Sequence, residues 1–208
     1  HEAEHILRGR LDRYLAEDVM SPLGPDNTII LWRWVEPDGL QQGKHSLRIA
    51  SLILAAQVAR DLYTLDPGNQ EYHRLYLRSI LEESKEIHGL GQPLVGLSDG
   101  RQDPLAAGFI ARQADADMLL AVYHNAIKTG HVPAAVGALE VLSATGERRL
   151  FESSSGRPSL LVEAIRHPDR WLRYTALQTI VKLDPRRPYP GSSFVLEALA
   201  YFAGSHGK

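Results

Sequence analysis

Cysteine is absent from the 208 residues of this sequence. Its absence excludes disulfides, thiolate metal sites and cysteine nucleophiles, and it leaves the redox compartment open. The sequence also lacks any apolar run near the ~18–20 residues that a membrane-spanning helix needs. We therefore expect a soluble protein, of either the cytoplasm or the periplasm.

An excess of charge of one sign is also missing. Lysine and arginine total 23 and aspartate and glutamate total 25, for a formal net charge of −2. Proteins that bind duplex nucleic acid usually carry a basic stripe. Nucleic-acid binding is therefore not expected, unless one group of arginines converges on one face: Arg148, Arg149, Arg157, Arg170, Arg173, Arg186 and Arg187.

Residues 1–88 have the pattern of a helical N-terminal segment. Apolar positions in 2–18 repeat with helical spacing, which predicts an amphipathic helix. A stronger helix is predicted over 46–65, followed by a turn and a second helix that Asn69 caps and Gly89 ends. This second part predicts an antiparallel helix pair.

Residues 27–37 are the ambiguous part of this segment. Their β-branched and aromatic side chains suit a strand. Asn27 as an N-cap, the lack of an evident hairpin partner and the helical surroundings favour a short helix that ends before Pro37. Trp32 and Trp34 alternate with Arg33, and we expect both to be half-buried.

Residues 89–103 form the longest glycine-rich stretch with little predicted structure. Its glycines neither follow a predicted strand nor precede Lys-Ser/Thr, so a phosphate-binding loop is not indicated. We expect this stretch to be a linker, followed by a short helix over 103–113.

Residues 104–208 contain a repeat. The pair Ala126-Ile127 recurs 38 positions later as Ala164-Ile165, and Ala138-Leu139 recurs at the same offset as Ala176-Leu177. Each unit reads as helix, tight turn, helix, and a third unit begins near Phe194. A period of this length is typical of helical-repeat architectures.

The helix predicted over 169–185 carries two neighbouring apolar stripes, which together cover more than half of its circumference. Such a helix needs neighbours on two sides, and stacked helix pairs supply them. The sequence thus predicts an all-α fold, a short α-α superhelix that packs as one continuous elongated solenoid. The stripes consist of Leu172, Ala176, Ile180 and Leu183, and of Tyr174, Leu177 and Val181.

Two family resemblances support this fold prediction. Residues 164–185 resemble the HEAT-type repeats of bacterial proteins, including the phycobilisome-lyase HEAT-like repeats, through Asp169, Leu172-Arg173, Ala176 and Ile180. Residues 55–69 resemble the closing half of a tetratricopeptide repeat. The HEAT-type resemblance implies that Asp169 and Arg173 form a pair that ties successive repeats together, and their i, i+4 spacing has the favourable order.

Trp171 is the leading candidate for a binding residue. On the helical wheel it lies on the polar arc, with Thr175, Gln178 and Lys182, and it follows Arg170. An exposed tryptophan beside cations is typical of a binding anchor. The alternative is that its ring packs beneath the insert 147–159. The predicted binding residues are therefore Trp171, Arg170, Gln178 and Lys182.

Residues 1–5 match the zinc motif H-E-x-x-H, but Arg8 stands where the metzincin continuation of this motif requires glycine. The other histidines stand apart, mostly at predicted helix ends. We expect no metal and no cofactor, and no nucleophile arrangement stands out.

The sequence therefore predicts a non-catalytic scaffold that binds an unknown protein or peptide. Because the chain begins at His1, we expect it to be a processed product or part of a larger protein. Two alternatives stay open: a HEAT-like enzyme or lyase accessory, and a helical-repeat nucleic-acid binder. The oligomeric state stays open as well.

Overall fold

The computed structural model describes residues 2–20, 23–24, 26–35, 39–97, 103–152, 158–183, 185 and 189–204. This part of the chain is mostly helical, with one two-stranded sheet. Its elements are α1 Glu2–Leu15, β1 Thr28–Val35, β2 Gly39–Ser46, α2 Leu47–Leu65, α3 Gln70–His88, α4 Ala107–Ala111, α5 Ala116–Thr129, α6 Val132–Thr145, a 3-10 helix Arg148–Phe151, α7 Leu160–Ile165, α8 Arg170–Leu183 and α9 Ser193–Gly204. Within the described ranges, no helix is both long and apolar enough to cross a membrane.

The boundaries of α2 and α3 follow from their caps. Asn69 Oδ1 accepts hydrogen bonds from the backbone N–H groups of Glu71 and Tyr72, at 3.0 and 3.3 Å. These bonds satisfy two of the N–H groups that the first turn of a helix leaves open. Ser46 Oγ accepts in the same way from Ile49 N, and α3 ends before Gly89. The predicted helix pair 46–65 and 69–88 is confirmed.

The prediction of a helix over 27–37 is wrong. Strand β1 pairs with β2 in antiparallel register, with Thr28 opposite Ser46 and Val35 opposite Gly39. The partner strand is rich in glycine and polar residues, so no strand pattern reveals it in the sequence. Asn27 has a φ of 56° and sits in a turn, where it cannot act as an N-cap.

Trp32 and Trp34 are not half-buried as predicted. Their side chains are 60% and 67% exposed, because they point away from the helices, whereas Ile29 is fully buried. Side chains alternate between the two faces of a strand, so one face of β1 is exposed while Ile29 anchors its base.

The helices pack in successive pairs. Helix α2 contacts α3, α5 contacts α6, and α7 contacts α8, while α3, α6 and α8 contact one another in that order. Helix α9 packs on α7 and α8. Helix α6 lies between α3 and α8, and its small and aliphatic side chains are almost all buried.

The apolar stripes of α8 are confirmed in part. Leu172, Ala176, Ile180 and Leu183 are buried, and so is Leu177. Val181 is 64% exposed, however, and Thr175 of the predicted polar arc is buried. A helical wheel shows which side chains share a face of α8, but it does not show which faces the neighbouring helices α6, α7 and α9 cover. The wheel therefore misplaces these two residues.

Residues 89–97, named here the crossing segment, pack against the helices. Leu94 is buried, and Gly108 N at the start of α4 donates to Val95 O at 2.9 Å. Gly96 has a φ of +79°, and a Cβ there would lie 2.4 Å from Ala106 Cβ. The first part of the predicted linker 89–103 is thus integral to the fold, while 98–102 lie outside the described residues.

Candidate binding groove

An open groove of about 650 Å³ lies between the crossing segment and helices α6, α8 and α9. Most of its surface is apolar, and the polar side chains at its edge come mainly from α8. Pockets of this composition are the usual sites of ligand binding in proteins. The apolar lining includes Leu90, Pro93, Leu97, Tyr174, Leu177, Val181, Leu199 and Phe202.

Helix α8 supplies a column of three lining residues along the groove: Tyr174, Gln178 and Lys182. They are spaced four positions apart, so each lies about 6 Å along the helix axis from the next. The Tyr174 ring contacts the rings of Trp171 and Phe202, with centroids 6.2 and 5.5 Å away. The column therefore runs from an aromatic end to a cationic end.

Three of the four predicted binding residues lie at this groove. Gln178 and Lys182 line it, and Trp171 contacts two lining residues, Gly91 and Tyr174. Arg170 is exposed at the start of α8 and does not line the groove.

Trp171 is partly exposed, as a binding anchor would be, and partly packed against the crossing segment. Its side chain is 43% exposed, yet one side of the ring is covered by the crossing segment. The approach is so close that a Cβ at Gly91 would lie 2.5 Å from Trp171 Cη2. The ring packs on the crossing segment, while residues 153–157 of the insert predicted to cover it lie outside the described residues.

A buried ion pair holds the crossing segment in place. Lys85 of α3 is 1% exposed, and its Nζ donates to Glu140 Oε1 of α6 at 2.7 Å and to the backbone oxygen of Gln92 at 2.5 Å. The second carboxylate oxygen of Glu140 accepts from Leu94 N at 2.8 Å. Three bonds thus tie two helices to one wall of the groove.

Glu140 also lines the groove, where its charge is compensated. Burial raises the pKa of its carboxyl group, while the hydrogen bond and the charge of Lys85 lower it. Both carboxylate oxygens already accept hydrogen bonds within the protein. This arrangement suits a structural anchor rather than an acid or base that exchanges protons with a ligand.

Asp169 and Arg173 do not form the predicted pair. Within the described residues, no ion pair joins them. Asp169 Oδ1 instead accepts from Leu172 N at 2.9 Å and caps α8. Arg173 Nη1 donates to the backbone oxygens of His167 and Pro168, both at 3.2 Å, and its guanidinium lies 5.3 Å from the centre of the Tyr201 ring.

The carboxylate of Asp169 caps α8 and does not pair with Arg173. The guanidinium of Arg173 contacts the α7–α8 turn and the Tyr201 ring of α9. Arg173 therefore joins the α7–α8 turn to α9, through contacts that differ from those the resemblance implies.

The arginines required by the nucleic-acid alternative are partly neutralised. Arg149 pairs with Asp117 and Glu147. Arg157, Arg186 and Arg187 lie outside the described residues.

For metal binding, no cluster of three or more His, Asp or Glu residues occurs in the ranges that the structure describes. The first histidine of the H-E-x-x-H motif, His1, lies outside those ranges.

The Lys85–Glu140 pair was not predicted from the sequence. The two residues are 55 positions apart and belong to different predicted domains. A weak signal exists, since Glu140 interrupts an otherwise apolar helix, but nothing in the sequence identifies its partner.

Comparisons with protein-family models, curated proteins and solved structures find no match to this chain. The HEAT-type and tetratricopeptide-type resemblances therefore stay predictions, and the groove geometry carries the functional argument.

Proposed function

We propose that this chain is a non-catalytic protein- or peptide-binding module, built as a short α-solenoid, and that the groove is its binding site. The succession of contacts α3–α6–α8, each with its own outer helix, supports the solenoid interpretation. In such folds each helix pair contacts its neighbours, and the stacked helices present an extended surface to a partner.

One observation carries the proposal: the groove is open and mostly apolar, and Glu140, the one carboxylate among its described lining residues, is already compensated from within the protein. An apolar groove attracts side chains of a partner through the hydrophobic effect. Exposed polar groups at its edge then provide orientation and specificity. Gln178 and Lys182 are such groups.

The enzyme alternative gains no specific observation. Glu140 and Lys182 are the ionisable acid and base among the lining residues, apart from the phenol of Tyr174. Since Glu140 is engaged by Lys85 and Leu94, the part of the lining that the structure describes offers no free carboxylate for acid–base chemistry. A nucleic-acid ligand would require more than one lining cation.

The proposal is tested by selecting seven-residue random peptides displayed on phage against the whole chain. Binding of the selected peptides is then compared between wild type and Leu199→Glu, which places a carboxylate in the groove. The matched control is Leu196→Glu on the same helix α9, because Leu196 is exposed and lies outside the groove.

We expect the peptides to bind wild type and Leu196→Glu alike, and to lose at least tenfold in affinity for Leu199→Glu. Circular dichroism should show the same helicity for all three proteins. Selection of no peptide, or equal binding to Leu199→Glu, would reject the groove as a peptide-binding site.

A further inference from the structure

The chemistry of the groove specifies its ligand further, given the proposed function. We propose that the groove binds an extended peptide segment that carries an acidic side chain four residues away from an apolar one, with a small residue midway between them.

The charge of the groove favours an acidic ligand. Lys182 is exposed, and no carboxylate of the described residues lies within 4 Å of its Nζ. The other charged lining residue, Glu140, is compensated by Lys85. Among the described lining residues, Lys182 is therefore the one cation without a carboxylate partner, and a carboxylate on the ligand complements it.

The opposite end of the α8 column favours an apolar side chain. The rings of Tyr174 and Phe202 pack against each other there, with centroids 5.5 Å apart, and Leu199 of α9 also lines the groove. Aromatic side chains provide a large apolar contact area, so burial of an aliphatic or aromatic ligand side chain against these rings is favourable.

The middle of the column favours an exposed peptide main chain. Gln178 is exposed, and its side-chain amide has both a donor and an acceptor, which match the C=O and N–H groups of one ligand residue in an extended chain. In a helical ligand the main-chain groups are engaged in bonds between residues four positions apart, so they are free for Gln178 only in an extended segment. A small ligand residue at this point lets its main chain approach.

The spacing of the lining residues along α8 favours the same conformation. The column from Tyr174 to Lys182 spans about 12 Å along α8. Four residues of an extended chain cover about 13 Å, and side chains four apart point to the same side.

The experiment uses the same random seven-residue phage library, applied to four proteins. They are wild type, Lys182→Glu, Gln178→Ala and the control Lys128→Glu. Lys128 is a matched control because it is also an exposed lysine in the last turn of a helix, α5, away from the groove.

We expect wild type and Lys128→Glu to select peptides with Asp or Glu four positions from an apolar residue. Lys182→Glu should select Lys or Arg at that position instead. Synthetic wild-type peptides should bind Lys182→Glu at least tenfold more weakly. They should bind Gln178→Ala about fivefold more weakly, as loss of one or two hydrogen bonds implies. Replacement of the acidic residue of the peptide by its amide should weaken binding about fivefold. This difference in affinity should be smaller at high salt, because salt screens the attraction to Lys182.

Two results overturn the inference and remain distinguishable. If wild type selects peptides without an acidic preference, or if Lys182→Glu selects the same peptides, the groove binds peptides but the ligand chemistry proposed here is wrong. If wild type selects no peptide, the proposed function fails, and the inference fails with it.

Discussion

Two partly buried glutamates, Glu140 in α6 and Glu83 in α3, are accommodated in opposite ways. Glu140 accepts hydrogen bonds from Lys85 Nζ and Leu94 N. Glu83 has no hydrogen bond or ion pair with any described residue, and only the more distant charges of Arg33 and Arg60 act on it. The first glutamate fastens the crossing segment, while the second has no comparable contact.

The difference appears in their proton affinities. Burial raises the pKa of Glu83 to about 7, although Arg33 and Arg60 act in the opposite direction. Burial also raises the pKa of Glu140 above its ordinary value, and the hydrogen bond and charge of Lys85 offset part of this increase. A carboxylate removed from water therefore keeps its charge more readily where a cationic donor reaches it.

The largest effect is expected from Lys85→Met. This change keeps the length of the side chain but leaves the Glu140 carboxylate buried without its cation. We expect the free energy of unfolding, measured in urea, to fall by about 3–5 kcal/mol. The exposed Lys44→Met is the control and should change it by less than about 0.5 kcal/mol.

The double variant Lys85→Met with Glu140→Gln should recover part of this loss, because it removes the uncompensated charge. Equal stability of Lys85→Met and wild type would show that the pair does not hold the crossing segment.

Glu83→Gln should change the free energy of unfolding by an intermediate amount. The change should be stabilising, and it should depend on pH. The pKa of Glu83 is higher in the folded protein, about 7, than its ordinary value of 4.5. Its protonation thus stabilises the fold below pH 4.5, and this contribution is lost as the pH rises through 7. Relative to wild type, Glu83→Gln should therefore gain on the order of 2–3 kcal/mol between pH 4.5 and 8.

Urea unfolding at pH 5 and pH 8 measures this gain. Glu86→Gln on the same helix is the control, since Glu86 pairs with Arg48 at 2.6 Å and should show no such gain. A stability difference between Glu83→Gln and wild type that is the same at both pH values would contradict the prediction.

The smallest effect is expected from Glu82→Gln. Glu82 is buried and its carboxylate lies 2.9 Å from His131 Nδ1. Glutamine keeps a polar partner for the imidazole, so the main loss is the attraction to buried Arg78 nearby. We expect the free energy of unfolding to fall by about 1 kcal/mol, measured from the midpoint of urea unfolding. A loss as large as that of Lys85→Met would contradict this, and it would show that Glu82 contributes as much to stability as the Lys85–Glu140 pair.

The sequence by itself determined the helices that local interactions specify. Ser46, Asn69 and Gly89 mark the ends of α2 and α3, because capping acts within one turn. The first apolar stripe of α8 likewise follows from helical periodicity, and its residues are buried. Gln178 and Lys182 could be nominated as binding residues because they share one polar arc with Trp171.

Only the tertiary structure decided the contacts between distant segments. The β1 strand pairs with a polar partner that carries no strand pattern, and Lys85 reaches Glu140 across 55 positions. Asp169 could cap α8 or pair with Arg173, and the structure selects the cap. The crossing segment has the composition of a linker, and only the contact between Gly91 and Trp171 shows that it packs on α8. In each case the deciding partner is brought close by packing alone, so no local pattern encodes it.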